Sequence, residues 1–154
     1  MIGNHFKVKI SGVSDTLSQF EEYDKVLNFY GYQRFGSSRP VTHLIGKALI
    51  QKDFLLAIHL LLSFTSEYDT TQNITFRKIM ADRSKYSEAL KIIPNRMDLE
   101  KIALKEMIEH NNPVKALRAL PLSIRRFFVQ SYQSFIFNKT LSVSFENGEE
   151  LFSP

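Results

Sequence analysis

The sequence predicts an α+β chain in which helix predominates, with a short strand near the N-terminus and a β-hairpin near the C-terminus. Three patterns lead there. Phe6, Val8 and Ile10 alternate with Lys7 and Lys9 at the period of a half-buried strand. Beyond Pro40 the apolar residues recur at helical spacing almost to residue 140. After Thr140 the period returns to two, with Leu141, Val143 and Phe145 alternating with Ser142 and Ser144 ahead of Asn147-Gly148, a strong hairpin signal.

In chain order, the strand covers 4–10, and Asn4 shares its parity with Phe6, so both side chains point to one face. Ser11-Gly12 breaks it. Ser14 or Asp15 can cap a helix over Leu17 to Leu27, with Glu21 and Glu22 on the wet side. Gly31 to Pro40 holds two Gly, two Ser and a Pro and reads as an ordered loop, neither helix nor strand. Helices are expected near 42–51, 54–64, 73–81, 84–92, 97–110, 113–119 and 122–139. Asp53 suits the N-cap of the second, and Asn112-Pro113 has the order that opens a helix. In the last helix Ile124, Phe127, Phe128, Ser131, Phe135 and Asn138 share one stripe, with Arg125, Arg126 and Gln133 off it. The hairpin has only six residues after its turn, which reads as a chain cut short.

Composition narrows the function classes. The 154 residues are 44% hydrophobic and 23% charged, the balance of a globular domain rather than a disordered one. The absence of Cys removes disulfides, thiolate catalysis and Cys-based zinc sites. No segment reaches the ~18–20 apolar residues of a membrane helix, and the first residues lack the pattern of a signal peptide, so a soluble, cytoplasmic chain is expected. The net charge of +4 is uneven. Residues 71–96 hold six basic against two acidic residues, and 111–139 hold five basic and no acidic ones. Such segments can flank a phosphate-lined groove or form ordinary solvated helix faces, and charge alone favours the second.

The usual catalytic constellations are missing. His5, His43, His59 and His110 show no metal-ligand spacing, and there is no nucleophile elbow or phosphate-binding loop of the G-x-x-x-x-G-K type. His59 lies within an apolar helix, as a core or helix-surface residue. No metal and no cofactor is expected. Composition and spacing by themselves stop at a basic, helix-rich α+β domain.

Three motifs add more. Asn28-Phe29-Tyr30-Gly31-Tyr32-Gln33-Arg34-Phe35-Gly36 resembles the N-Y-F-G-x-Q-R-F-G motif of the TruD family of tRNA pseudouridine synthases. Gly3-Asn4-His5-Phe6 resembles the family's G-N-x-F strand, and Phe128 to Asn138 resembles its downstream Q-S-x-L-F-N-like helix. The helical stretch between them is similar to the expanded region of the archaeal and eukaryotic branch. The resemblance implies that residues 1–25 are the tail of a catalytic domain and that 26–154 form a TRUD insertion domain, incomplete at its C-terminus. It implies cofactor-free isomerisation of a uridine in RNA, with tRNA as the expected partner: the nucleotide is flipped out, its glycosidic bond is broken, and the base is rejoined through C5. Asn4 and Phe6 would line the active site, with the aromatic ring against the base, and Asn28 and Tyr30 would stand beside them. Without the motif, Phe6 reads as a plain core residue of its strand.

Arg34 offers a planar fork of donors suited to phosphate, and with Gln33, Arg39 and Lys47 forms the expected RNA-binding set. Gln33 reads equally well as an internal clasp of its loop. In the downstream helix, Phe135 and Phe137 read as core, and Gln133 and Asn138 as structural hydrogen-bonders. The family's catalytic aspartate lies in a G-x-K-D-x-x-A-x-T motif. The chain's six aspartates, Asp15, Asp24, Asp53, Asp69, Asp82 and Asp98, stand in other contexts. The expectation is a segment of such an enzyme, inactive by itself and completed by the missing catalytic segments. The alternatives are a non-catalytic RNA-binding remnant and a helical interaction domain.

Overall fold

The computed structural model describes residues 27–149, together with Lys7, Lys9, Ser11 and Gly12. The described residues form helices α1 (Tyr32–Phe35), α2 (Thr42–Ile50), α3 (Phe54–Ser63), α4 (Thr71–Met80), α5 (Tyr86–Ile92), α6 (Asp98–His110), α7 (Pro113–Ala119) and α8 (Leu122–Glu146), with a 3-10 turn over Arg83–Lys85. No strand occurs among them. The expected strand over 4–10 and the helix over 17–27 fall largely on residues outside this range, Asn4 and Phe6 included.

The caps explain why the helices start where they do. The Asp53 carboxylate accepts from the Leu56 amide at 3.0 Å, and Asn112 accepts from the Val114 and Lys115 amides ahead of Pro113. Thr70 caps α4 by accepting from Asn73, so that helix opens two residues earlier than its apolar pattern suggests. Asp82 caps the 3-10 turn that leads into α5.

The core is built from Val41, Ile45 and Ala48 of the α2 region, Ala57, Ile58, Leu61 and Leu62 of α3, Met80, Leu104, Leu117 and Leu120, closed on one side by Phe128 of α8. The α2–α8 pair forms the most extensive helix contact. Gly46 makes it possible, since a Cβ there would run into the Phe128 carbonyl and sit 3.1 Å from the Tyr132 Cβ.

A four-residue ion network closes the interior beside α3. Arg77, on α4, is buried and donates from Nη2 to Glu100 Oε1 at 2.9 Å and from Nε to Asp69 Oδ2 at 3.1 Å. Arg39 donates to the same Glu100 oxygen at 3.2 Å. Both guanidinium groups also cap the end of α3, Arg39 at the Leu61 carbonyl (3.0 Å) and Arg77 at the same carbonyl (3.2 Å). Two cations against two carboxylates cancel, and the carbonyls at the negative end of the helix dipole take up the Nη1 donors of both. Burial, reinforced by the charge of Arg77 and opposed by Glu100 and Asp69, brings the Arg39 pKa down to about 10, which leaves it cationic at neutral pH.

The C-terminal hairpin is a correction. Residues 141–145 continue α8 as helix to Glu146. Ser142 donates back to the Asn138 carbonyl at 3.0 Å, so its hydroxyl is satisfied within the helix, and the alternating serines carry no strand preference. Asn147-Gly148 ends that helix instead of turning a hairpin. The Gly148 amide reaches the Phe145 carbonyl (3.1 Å), the Glu149 amide reaches Ser144 (2.9 Å), and Gly148 takes φ +69, the Schellman pattern. The loop expected over 31–40 is also corrected in part, because Tyr32–Phe35 forms one helical turn, stopped by Gly36 at φ +98.

Candidate nucleic-acid interface

The segment Asn28–Gly36 lies along α8, held there by a polar stripe on that helix. The Asn138 amide clasps the backbone of Tyr30 twice: its Oδ1 accepts from the Tyr30 amide and its Nδ2 donates to the Tyr30 carbonyl, both at 2.9 Å. Ser134 accepts from Arg34 Nε at 3.1 Å while its own hydroxyl donates to the Gln130 carbonyl. The Arg34 carbonyl accepts from Ser131 Oγ at 2.9 Å and from Thr42 Oγ1 at 3.1 Å, which joins the segment to α8 and α2 at one atom. Ser131 and Ser134 are buried, and each spends its hydroxyl in these contacts, as buried polar groups must.

The Arg34 guanidinium carbon lies 5.3 Å from the centroid of the Tyr30 ring and 5.7 Å from that of Phe127, within cation–π range of both. Tyr30 meets Phe137 edge to face at 5.6 Å. Two shallow grooves open on either side of Arg34. One is bounded by Tyr30, Gly31, Gln33 and Phe127, the other by Tyr30, Gln130, Gln133 and Phe137. With its Nε bonded to Ser134 and its ring contacts fixed, Arg34 presents the rest of its fork in a set orientation at both grooves.

On the other side of the segment, His43 is stacked on Phe135 (centroids 4.9 Å apart) and edge-on to Phe35 (5.3 Å). Burial lowers its pKa, which favours the neutral ring. Phe135 is thus part of the packing, as expected, whereas Phe137 is about half exposed at 48%. His59 is an exposed residue of α3, 3.1 Å from Ser63 Oγ.

The structure brings Tyr30, Gln33 and Arg34 together around the grooves. Asn28 is exposed at the start of the segment, and Lys47 is exposed on α2. Arg39 is placed differently, its guanidinium turned inward to Glu100 and the end of α3. Sequence reasoning passed over Ser134, which completes the stripe Phe127, Ser131, Ser134, Asn138. The signal was present: small polar residues at alternating four- and three-residue steps within an apolar stripe imply a facing backbone in need of hydrogen bonds. Among the described residues, no three His, Asp or Glu side chains converge as a metal site requires, and no helix is long and apolar enough to cross a membrane.

A segment carrying an arginine between aromatic rings, clasped to a long helix, leaves a cation and aromatic edges at an open surface. Comparison with known proteins gives it a family. The family model described as tRNA pseudouridine synthase D (TruD) matches residues 1–154. A probable tRNA pseudouridine synthase D of Methanopyrus kandleri is 33% identical over 99% of this chain and 40% of its own length. One of Thermococcus sibiricus is 36% identical over 98% of this chain and 38% of its own. The crystal structure of a putative TruD from Methanosarcina mazei superposes with a TM-score of 0.74 at 35% identity, covering 79% of this chain and 28% of that one. The chain belongs to the TruD family. It spans about two fifths of the length of the curated relatives it matches.

Proposed function

We propose that this chain is the RNA-facing part of a tRNA pseudouridine synthase, an isomerase that converts a flipped uridine to pseudouridine in the cytoplasm. The observation that carries the reading is the Asn28–Gly36 segment, which bears the family's motif and holds Arg34 between Tyr30 and Phe127 at an open surface. In this reading Asn4 and Phe6 line the site that takes the target base, with Asn28 and Tyr30 beside them. Gln33, Arg34 and Lys47 meet the RNA. Arg39 serves the same surface indirectly, by tying the end of the motif loop to Glu100 and α3.

The reaction needs a carboxylate from a G-x-K-D-x-x-A-x-T segment, which these 154 residues do not contain. The catalytic segments of the same enzyme are therefore the partner this surface works with, and no metal or cofactor takes part. The chain by itself binds tRNA and turns none over. Fluorescence anisotropy with labelled tRNA over a salt series tests the first half, with log Kd expected to rise linearly with log salt. Absent or salt-independent binding would overturn the RNA reading. Release of tritium from tRNA labelled at uridine C5 tests the second half, and turnover by the 154 residues would overturn the placement of the catalytic group elsewhere.

A further inference from the structure

A further cleft lies between α2, α3, α7 and the first turns of α8. Its volume is about 490 Å³, within the range of ligand pockets. Leu49, Phe54, Val114 and Val129 make an apolar floor, and Arg118, Arg125 and Arg126 stand at its rim. Arg125 donates from Nε to the Leu120 carbonyl at 3.2 Å, which fixes its position. Arg118 and Arg126 are exposed. Residues 111–139 contain no acidic side chain, so this stretch supplies no carboxylate to its own arginines. Asp53, next to Phe54, is occupied in capping α3.

An apolar floor with a cationic rim suits a ligand that has both an apolar face and a negative charge. Inorganic phosphate alone would gain nothing from the floor, and a neutral aliphatic ligand would gain nothing from the arginines. A nucleotide uses both. The cleft is also joined to the motif surface, because Gln130 borders it and the groove beside Arg34 alike. Arg126, Gln130, Gln133 and Phe137 follow one face of α8 at steps of four, three and four residues. That stripe is about 16 Å long, at ~1.5 Å of rise per residue, and carries a cation, two amides and an aromatic ring in sequence.

We infer that this cleft is a base-binding subsite for an unpaired nucleotide of the RNA, its base on the Phe54–Val129 floor and its phosphates on Arg118, Arg125 and Arg126. The stripe along α8 connects it to the motif site. The inference rests on the RNA reading above and extends it to a position away from the modified uridine. Its specificity is for single strands, since a paired base cannot enter the cleft.

The test uses the 154-residue chain with two fluorescein-labelled probes, a single-stranded oligouridine and an RNA duplex. Two variants are compared with the parent after a melting curve confirms the fold: Arg118→Gln/Arg126→Gln, which removes rim charge, and Val129→Trp, which covers part of the floor. The double variant is expected to lower the log Kd–log salt slope on single strands by about 1.4, at ~0.7 for each of the two phosphates it leaves unneutralised. Val129→Trp is expected to weaken single-strand binding several-fold and leave duplex binding unchanged. If the parent binds neither probe, the RNA reading itself fails. If the parent binds and both variants match it, the subsite is overturned and the cleft is a groove for another protein segment. If only the double variant weakens, and equally on both probes, the base pocket is overturned and the rim is a phosphate contact alone.

Discussion

Gly46→Ala sets two effects of opposite sign against each other. Gly46 lies inside α2, where helix propensity alone makes alanine more favourable by about 1 kcal/mol. Packing says the reverse. An added Cβ would run into the Phe128 carbonyl oxygen of α8, 2.7 Å from its carbon and 3.1 Å from the Tyr132 Cβ. The nearest atoms belong to the backbone of another helix, so relief requires α2 and α8 to shift apart at this crossing. Overpacking costs ~1–3 kcal/mol, and a backbone neighbour places this site at the upper end. The net effect is a loss of about 2 kcal/mol, or a Tm lower by about 4–8 °C in a domain of this size. Urea titration followed by far-UV circular dichroism measures it, with an unchanged slope showing that the unfolded states are comparable. Gly31→Ala is the control, since no atom lies within 4 Å of a Cβ there and its φ of −82 suits any residue. A Gly46→Ala protein as stable as the parent, or more so, would show that the helices are not in backbone contact and refute the argument.

Asn138→Ala removes both hydrogen bonds to the Tyr30 backbone and is expected to cost about 1–2 kcal/mol in a denaturant titration. Asn138→Asp keeps the acceptor but turns an oxygen toward the Tyr30 carbonyl, and should be no more stable than the alanine variant. Glu100→Ala leaves Arg77 and Arg39 without their shared carboxylate inside the protein and is expected to cost ~3–5 kcal/mol, read as a large fall in Tm. Lys52 occupies a left-handed position at φ 61 after α2, so Lys52→Gly should raise the Tm, relieving ~1–2 kcal/mol of backbone strain less the added freedom of glycine when unfolded. Burial lowers the His43 pKa below its unfolded value, so the unfolded chain takes up the proton first as pH falls. The His43 contribution is therefore complete above about pH 6.5 and declines as pH drops through the folded value. Denaturant titrations at pH 7.5 and below should show that loss in the parent and a smaller one in His43→Leu.

The helices were legible in the sequence because their signals are local. Asp53 and Asn112-Pro113 mark starts within a few residues of the chain they govern, and the structure opens α3 and α7 at those points. The hairpin was misread because its signals are local and ambiguous. Serines alternating with Leu141, Val143 and Phe145 suit a strand, yet they suit a helix equally once a hydroxyl can bond the carbonyl four residues back. Asn-Gly likewise serves a tight turn or a helix end, and the preceding helix decides between them. The ion network was invisible for a different reason. Arg39 and Glu100 are 61 residues apart, and a count of charges by segment treats Arg77 as a surface cation when it is buried at 4% exposure. Pairing between distant elements leaves no mark in a window of sequence. Arg39 entered the expected RNA-binding set on that account.

The two motifs within the described part of the chain, Asn28–Gly36 and Phe128–Asn138, are separated by about 100 residues in sequence and in direct contact in the structure. That contact gives each segment a structural need for the other. A loop with exposed Phe29, Tyr30 and Tyr32 has too little apolar burial of its own to hold one conformation. Its order comes from Ser131, Ser134 and Asn138, which bond its backbone and the Arg34 Nε and so fix where that guanidinium stands. Much of what makes the motif recognisable is therefore architecture: Asn138 serves a backbone, Ser131 serves a carbonyl, and Gly36 permits a turn. What remains for a ligand is the unspent part of the Arg34 fork, Gln33, and the exposed aromatic edges. A residue such as Asn138 would be mistaken for a ligand-binding group if binding alone were assayed, because its loss releases Arg34 from its place. Measuring stability and RNA affinity together separates the roles: Asn138→Ala should lower both, whereas Gln33→Ala should lower affinity with the Tm unchanged.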